Sequence, residues 1–196
     1  MGGLRPAPSA EHIFGYASLV IDNARGAKVA RLPGYRRVWG VATDNLRAIP
    51  GYKMYLSRSD GSRPAVYVAF MDIEPDASSV VNGVVRPVSA PELEVLDLRE
   101  RNYDRVDVSR QIEGFEGQVW TYRGSAEGRE RLRRGRAEGR AVVSRDYLEK
   151  VRAGFVALGP GHERAFAESS RLDDLPVLDL ERLDLPPEPP PAQERP

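Results

Sequence analysis

Few side chains in this sequence could do chemistry, and that scarcity narrows the possibilities at once. There is no cysteine, which removes disulfides, thiolate metal sites and cysteine nucleophiles together. The two histidines, His12 and His162, lie far apart in sequence. A Ser–His–Asp triad would need one of them, yet His12 borders a predicted disordered end and His162 follows a helix-breaking Gly-Pro-Gly run. The chain has no G-x-x-x-x-G-K-[ST] phosphate loop, no complete G-x-G-x-x-G, and no H-E-x-x-H. No Cys/His cluster offers a metal site, so none is expected. What remains is carboxylate chemistry assisted by backbone donors.

One carboxylate is oddly placed. In the predicted helix over 91–100, Glu100 follows Leu96 by four residues and Leu93 by seven, which puts the three side chains on one stripe. With Leu93 and Leu96 facing the core, Glu100 points inward at its edge. An inward glutamate loses hydration, and its pKa rises toward the range useful for a general base. Val95 and Leu98 occupy another side of the helix, so the apolar face is not clean. Periodicity alone therefore favours a surface Glu100 paired with Arg99 or Arg101. A second feature is Phe14-Gly15-Tyr16-Ala17-Ser18-Leu19, a strand running into small residues. Small residues let a ligand approach the main chain, where successive N–H groups can hold an anion or a developing oxyanion. Gly15 or Ser18 alone is more often a bulge or tight packing.

The elements that must position these groups are mostly strands. Segments 12–21, 34–42, 65–73, 80–88 and 117–122 carry the β-branched and aromatic content of buried strands, and Asp60-Gly61 suggests a hairpin between Tyr55-Leu56 and Val66. One helix opens at Ser89-Ala90-Pro91-Glu92, with Ser as cap, and runs to near Asn102. Another begins at Ser144, with Tyr147, Leu148, Val151, Phe155 and Leu158 at helical spacing, and Gly159-Pro160-Gly161 breaks it before a short helix through Phe166. Strands with interspersed helices and no regular βαβ alternation predict an α+β domain over 12–175. Residues 1–11 are expected to be disordered, as is the Pro-rich tail over 176–196. The Arg/Glu-dense segment 123–145 reads as a solvated loop or frayed helix.

Composition sets the outer limits. Of 196 residues, 29 are Lys or Arg and 29 are Asp or Glu, so the net charge is zero, which argues against a nucleic-acid partner. No apolar run approaches the roughly 18–20 residues of a membrane span, and no signal-peptide core is visible at the start. A soluble cytoplasmic protein is the expectation.

Taken together, these stretches resemble the γ-glutamylcyclotransferase family. Phe14-Gly15-Tyr16-Ala17-Ser18-Leu19 is similar to its Phe-Gly-Tyr-Gly-Ser-Leu loop. Val81-Asn82-Gly83-Val84-Val85, followed by Leu96-Asp97-Leu98-Arg99-Glu100 and Tyr103, resembles its strand, helix and catalytic-glutamate segment, nearest the Leu-Asp-x-Arg-Glu form of the glutathione-acting branch. Thr121-Tyr122 and then Ser144-Arg145-Asp146-Tyr147-Leu148 resemble its strand-end tyrosine and Ser-x-x-Tyr helix. The matches occur in family order over about 13–168. The resemblance implies a mixed β-barrel flanked by helices and an intramolecular aminolysis that releases 5-oxoproline from a γ-glutamyl amide such as glutathione. It makes Glu100 the general base and Phe14, Gly15, Tyr16, Ala17, Ser18, Leu19, Tyr103 and Tyr122 the substrate-binding residues. The reaction requires no cofactor; the partner is a small γ-glutamyl molecule, and a homodimer is left open.

Departures from the family pattern bear on the substrate. Ala17 stands where the family has glycine, so a positive φ there would be strained. The linker Arg101-Asn102-Tyr103 is short, and 43–62 matches no family pattern and is expected to form the substrate rim. Two other classes stay open: a non-catalytic γ-glutamyl-binding module using the Pro-rich tail as a docking peptide, and an arginine-rich RNA-associated protein, which the charge balance disfavours.

Overall fold

The computed structural model describes residues 11–21, 27–172 and 174–186. Its longest elements are strands β2 (Lys28–Asp44) and β4 (Tyr67–Val88), whose Val, Tyr, Trp and Phe content suits a buried pleated surface. They pair antiparallel from Lys28 opposite Val85 to Asp44 opposite Tyr67, with register breaks between Pro33 and Tyr35 and between Trp39 and Val41. The strands expected at 65–73 and 80–88 are therefore one strand of 22 residues. Pro75, which has no N–H for the ladder, sits opposite Tyr35 beside the first break, where an interrupted ladder is tolerated.

Strand β1 (Glu11–Gly15) lies antiparallel to β4 and parallel to β6 (Gln118–Gly124), and β6 carries β5 (Tyr103–Asp107) on its far side. The short strands β7 (Ala141–Ser144) and β8 (Ser170–Arg171) add to β4 and β2, and β9 (Val177–Leu178) adds to β7. A separate two-stranded ribbon joins β3 (Lys53–Ser57) to β10 (Leu180–Asp184). The helices are α1 (Ala90–Arg99), α2 (Ala126–Ala137), α3 (Arg145–Ala157) and α4 (Pro160–Glu168). The fold is α+β, as the sequence predicts. The sheet mixes parallel and antiparallel pairs and is flanked by helices, as expected, but among the described residues it does not close into a barrel: edge strands β5 and β8 do not meet.

Four local expectations also change. Residues 1–10 and 187–196 lie outside the described residues, but Glu11 opens β1 and the expected tail contributes β9 and β10. Leu180 is buried with Val41, Tyr55, Val68, Phe70 and Val142, which gives that segment the apolar anchor its Pro-rich flank concealed. The Asp60-Gly61 hairpin does not form, because β3 takes β10 as its partner. Instead the Asn45 side chain bridges the two segments, accepting from the Tyr55 N–H (2.8 Å) and donating to the Tyr55 (2.9 Å) and Pro64 (3.0 Å) carbonyls. The Arg-rich segment is neither loop nor frayed. Ser125 caps α2 by accepting from the Gly128 N–H at 3.1 Å, and Leu132 is buried. Arg129 binds Asp72 at 2.8 Å, and Arg131 donates to Asn102 Oδ1 at 2.7 Å and to the Ala42 carbonyl at 2.8 Å.

One guanidinium ties the sheet to the helices. Arg37, fully buried on β2, donates through Nε to the Tyr16 carbonyl (2.7 Å) and through Nη1 to Ser169 Oγ (2.6 Å). Its Nη2 donates to the Asn82 backbone carbonyl and side-chain Oδ1. The rings of Phe155 and Phe166, themselves stacked at 4.5 Å, lie 4.8 and 5.0 Å from it. Burial pulls its pKa down, and the surrounding acceptors and aromatic faces replace the lost water. Arg37→Met should lose at least about 3 kcal/mol of stability in urea unfolding, because several buried acceptors then lack a donor. Arg37→Lys should recover only part, since an ammonium has no planar fork. A change within about 0.5 kcal/mol for Arg37→Met would contradict this account of the fold.

Candidate active site

Strand β1 ends beneath the small-residue stretch, and two glycines set how closely the chain passes itself. A Cβ on Gly15 would lie 2.6 Å from the Leu19 Cβ, and one on Gly83 of β4 would overlap the Gly15 carbonyl oxygen. The close approach folds residues 15–19 back over β4. A 3₁₀ turn, Ser18–Val20, follows. Its first internal bond runs from the Val20 N–H to the Ala17 carbonyl at 3.0 Å, so the Ser18 and Leu19 N–H groups precede it and have no partner within the turn. Ala17 has φ −140°, outside the left-handed region. The strain anticipated for alanine at this position does not arise. The loop is held by Arg37 on the Tyr16 carbonyl, by the Tyr16 hydroxyl donating to the Tyr122 carbonyl (2.7 Å), and by Thr121 Oγ1 donating to the Phe14 carbonyl (2.9 Å).

Glu100 arrives from the other side. Ser89 and Glu92 form a reciprocal capping box at the start of α1, and Leu93 and Leu96 are its buried residues while Val95 and Leu98 are exposed. That settles which face is inward. Glu100 is the C-cap, with its N–H on the Leu96 carbonyl (2.8 Å) and its own carbonyl accepting from the Tyr103 N–H (2.9 Å). Its side chain is 15% exposed and lies 3.2 Å from Arg99 Nε. Both sequence readings of this glutamate are thus partly realised: it pairs with Arg99, and it faces inward.

The two sides meet in a small recess of about 30 Å³ lined by Tyr16, Ala17, Ser18, Leu19, Glu100, Tyr103 and Tyr122, with Met71 and Tyr147. Of the sequence-derived site residues, Phe14 and Gly15 do not line it. Phe14 is in the core, because β1 is covered on both faces, and Gly15 serves the chain's close approach. The tyrosine hydroxyls are already engaged: Tyr103 donates to the Met71 carbonyl (2.7 Å), Tyr122 to Asp97 Oδ1 (2.7 Å), and Tyr147 accepts from the Met71 N–H (3.3 Å). Burial, chiefly, pushes the Tyr16, Tyr103 and Tyr147 phenols up, with Glu100 acting in the same direction, so they remain neutral beside it.

Beyond the recess opens a cavity of about 390 Å³ that shares Ser18, Glu100, Tyr103 and Tyr147 with it. Tyr52, Lys53, Tyr55 and Arg58 line it, so 43–62 does form part of the rim. Phe70, Asp146 and Arg182 add to the wall, and sequence reasoning did not place them there because they come from segments remote in sequence with no shared spacing. Lys53 Nζ lies 3.9 Å from the Phe70 ring centroid. Burial lowers its pKa to about 8, a shift that Glu100 partly opposes. A wider depression of about 830 Å³ near Trp39 and Gly40 is remote from Glu100, and its Arg129–Asp72, Arg36–Glu74 and Arg136–Asp174 pairs neutralise one another. Among the described residues no cluster of His, Cys, Asp or Glu is arranged to hold a metal ion, and no helix is long and apolar enough to cross a membrane.

Residues 14–149 match the family model described as gamma-glutamyl cyclotransferase, AIG2-like. No curated protein matches the chain. A solved gamma-glutamyl cyclotransferase superposes with a TM-score of 0.51 at 13% identity, over 84% of this chain and 90% of its own. An uncharacterized protein from Homo sapiens does so with a TM-score of 0.50 at 13% identity, over 83% and 89%. At these identities the two structures establish a shared fold.

Two outcomes test this geometry. Ala17→Gly should keep the loop and cost about 0.5–1 kcal/mol in thermal unfolding, through the added freedom of the unfolded chain alone; a larger loss would mean that the Ala17 methyl does more. Lys53 has a folded pKa of about 8, below its ordinary value of 10.5, so between these values the unfolded chain binds more protons. Wild-type stability should therefore rise relative to Lys53→Met as the pH goes from about 8 toward 10.5, and a flat difference in urea unfolding across that window would refute the assignment.

Proposed function

Because the chain belongs to the gamma-glutamyl cyclotransferase, AIG2-like family, we propose that it cyclises a γ-glutamyl amide to 5-oxoproline, with Glu100 as general base. The observation that carries this reading is the shared recess, in which Glu100 and the Tyr16–Leu19 stretch line one small space. At about 30 Å³ the recess takes one water-sized group, such as a carbonyl oxygen, while the larger cavity takes the rest of the substrate.

The chemistry asks little of the protein. The nucleophile is the substrate's own α-amine, so folding the γ-glutamyl group into a near-attack conformer supplies much of the rate. The amine arrives protonated, and Glu100 takes that proton. The freed nitrogen attacks the γ-carbonyl carbon and, as the lactam C–N bond forms, gives up a second proton; the original amide C–N bond breaks as Glu100 relays these protons to the departing nitrogen, which leaves as an ammonium. The Ser18 and Leu19 N–H groups stabilise the oxyanion between these steps. Tyr103 and Tyr122 position the site through their hydroxyl bonds to Met71 and Asp97 instead of donating those hydroxyls to the substrate. The glutathione preference suggested by Leu96-Asp97-Leu98-Arg99-Glu100 is part of this proposal and rests on sequence resemblance alone.

The test is release of 5-oxoproline from a panel of γ-glutamyl compounds that includes glutathione. Glu100→Gln keeps the side chain's shape but cannot take the proton, and its kcat should fall at least about 100-fold with the fold intact by circular dichroism. Normal turnover by this variant would require a different base, and binding without release by the wild type would point to a non-catalytic module.

A further inference from the structure

Among the described residues five cations line the cavity next to Glu100, and their partners differ. Arg58 binds Asp146 (2.6 Å), Arg99 lies 3.2 Å from Glu100, and Arg182 binds Asp184 (2.6 Å). Lys150 is exposed at the rim. Lys53 is different. It is half-buried on β3, and among the described residues its ammonium has no carboxylate within 4.0 Å and no hydrogen-bond acceptor. Its nearest neighbours are the rings of Phe70 (3.9 Å) and Tyr52 (5.2 Å), which attract a cation without satisfying its three N–H donors. The strand opposite gives no relief: Lys53 sits in register with Asp184, whose carboxylate is held by Arg182. An ammonium held over aromatic rings without a carboxylate partner gains a charge-assisted hydrogen bond when a ligand supplies the counter-charge.

The position of Lys53 says which part of a substrate that would be. Lys53 lines the cavity but not the recess, and the two spaces join at Ser18, Glu100, Tyr103 and Tyr147. With the reacting carbonyl at that junction, the group beyond the scissile amide extends into the cavity toward Lys53. The wall behind it, β10, lies past residue 149, where the family match ends, so this side of the cavity is built by a segment outside the matched region.

We propose that Lys53 is a specificity-determining residue that receives a carboxylate on the expelled amine, so that the chain selects γ-glutamyl derivatives of amino acids or peptides over those of uncharged or cationic amines. The proposal rests on the placement of the reacting carbonyl beside Glu100 given above. It is tested by calorimetric binding of γ-glutamyl-alanine and γ-glutamyl-alaninamide to the Glu100→Gln protein, with and without Lys53→Met. The two ligands share the glutamyl carboxylate and differ only in the leaving group's. With Lys53 present, γ-glutamyl-alanine should bind roughly 10- to 100-fold more tightly, the range of a charge-assisted hydrogen bond. Lys53→Met, or Lys53→Gln should the methionine variant misfold, should bring the two ligands within about threefold of each other. Equal affinities with Lys53 present would overturn the proposal, as would a preference that survives its removal. Equal weakening of both ligands would also overturn it, by assigning Lys53 to the glutamyl carboxylate. Release of 5-oxoproline by the otherwise wild-type protein is followed separately: its absence alongside a Lys53-dependent preference would sink the role of Glu100 and leave that of Lys53 standing.

Discussion

The structure depends on the burial of Arg37. A guanidinium removed from water must find acceptors in a fixed planar geometry, and Arg37 finds them on the Tyr16 carbonyl, on Asn82 of β4 and on Ser169 just past α4. Each acceptor belongs to a different part of the chain, so satisfying one side chain sets the mutual position of the loop after β1, the middle of β4 and the end of α4. Phe155 and Phe166 cover the cation with their ring faces, which joins α3 and α4 to the same point. A small-residue loop would otherwise be free to move. Here its first carbonyl is bound from below, and Gly15 and Gly83 allow the close contact that follows.

The same economy of polar groups shapes the other side of the site. Met71, near the start of β4, receives the Tyr103 hydroxyl on its carbonyl and gives its N–H to the Tyr147 hydroxyl. Two aromatic side chains are thereby fixed around Glu100 without offering it a charge. The capping box fixes the start of α1, and burial of Leu93 and Leu96 fixes its rotation, so the helix delivers Glu100 to the recess at its last turn. Rigid support on both sides suits a reaction whose nucleophile belongs to the substrate, because positioning is then the protein's main contribution.

The outer cavity is built differently. Its wall is the β3–β10 ribbon, held to the body by Leu180 against Tyr55, Val68 and Phe70 and by the Asn45 bridge. On this wall Arg58 pairs with Asp146 and Arg182 with Asp184, whereas among the described residues Lys53 has no carboxylate within 4.0 Å. The inner recess thus uses backbone donors and neutral phenols, whereas the outer cavity uses side-chain charge. In the proposed reaction this division would separate the part that handles the reacting bond from the part that meets whatever is attached to it.

The helical spacing of Leu93, Leu96 and Glu100 and the cap at Ser89 were legible because they are local: a period of 3.6 residues and a side chain bonded three residues away need no knowledge of the rest of the fold. The loop motif was legible for the same reason, as was the α+β class. That the Phe14 side chain lies in the core and not on the recess was not legible, because Ile13, Phe14 and Gly15 are all buried and alternation cannot distinguish a core side chain from one that meets a ligand. The tail was misread because its prolines dominate the composition, while the few residues before them form a strand once β3 presents an unpaired edge. The sequence by itself determined the helix that carries Glu100 and the small residues that let the chain fold back on β4. Only the tertiary structure decided that these share a recess, that Arg37 binds the loop and that Lys53 lines the adjoining cavity with no ion-pair partner among the described residues, because each depends on contacts between residues tens of positions apart, and no local periodicity encodes such pairings.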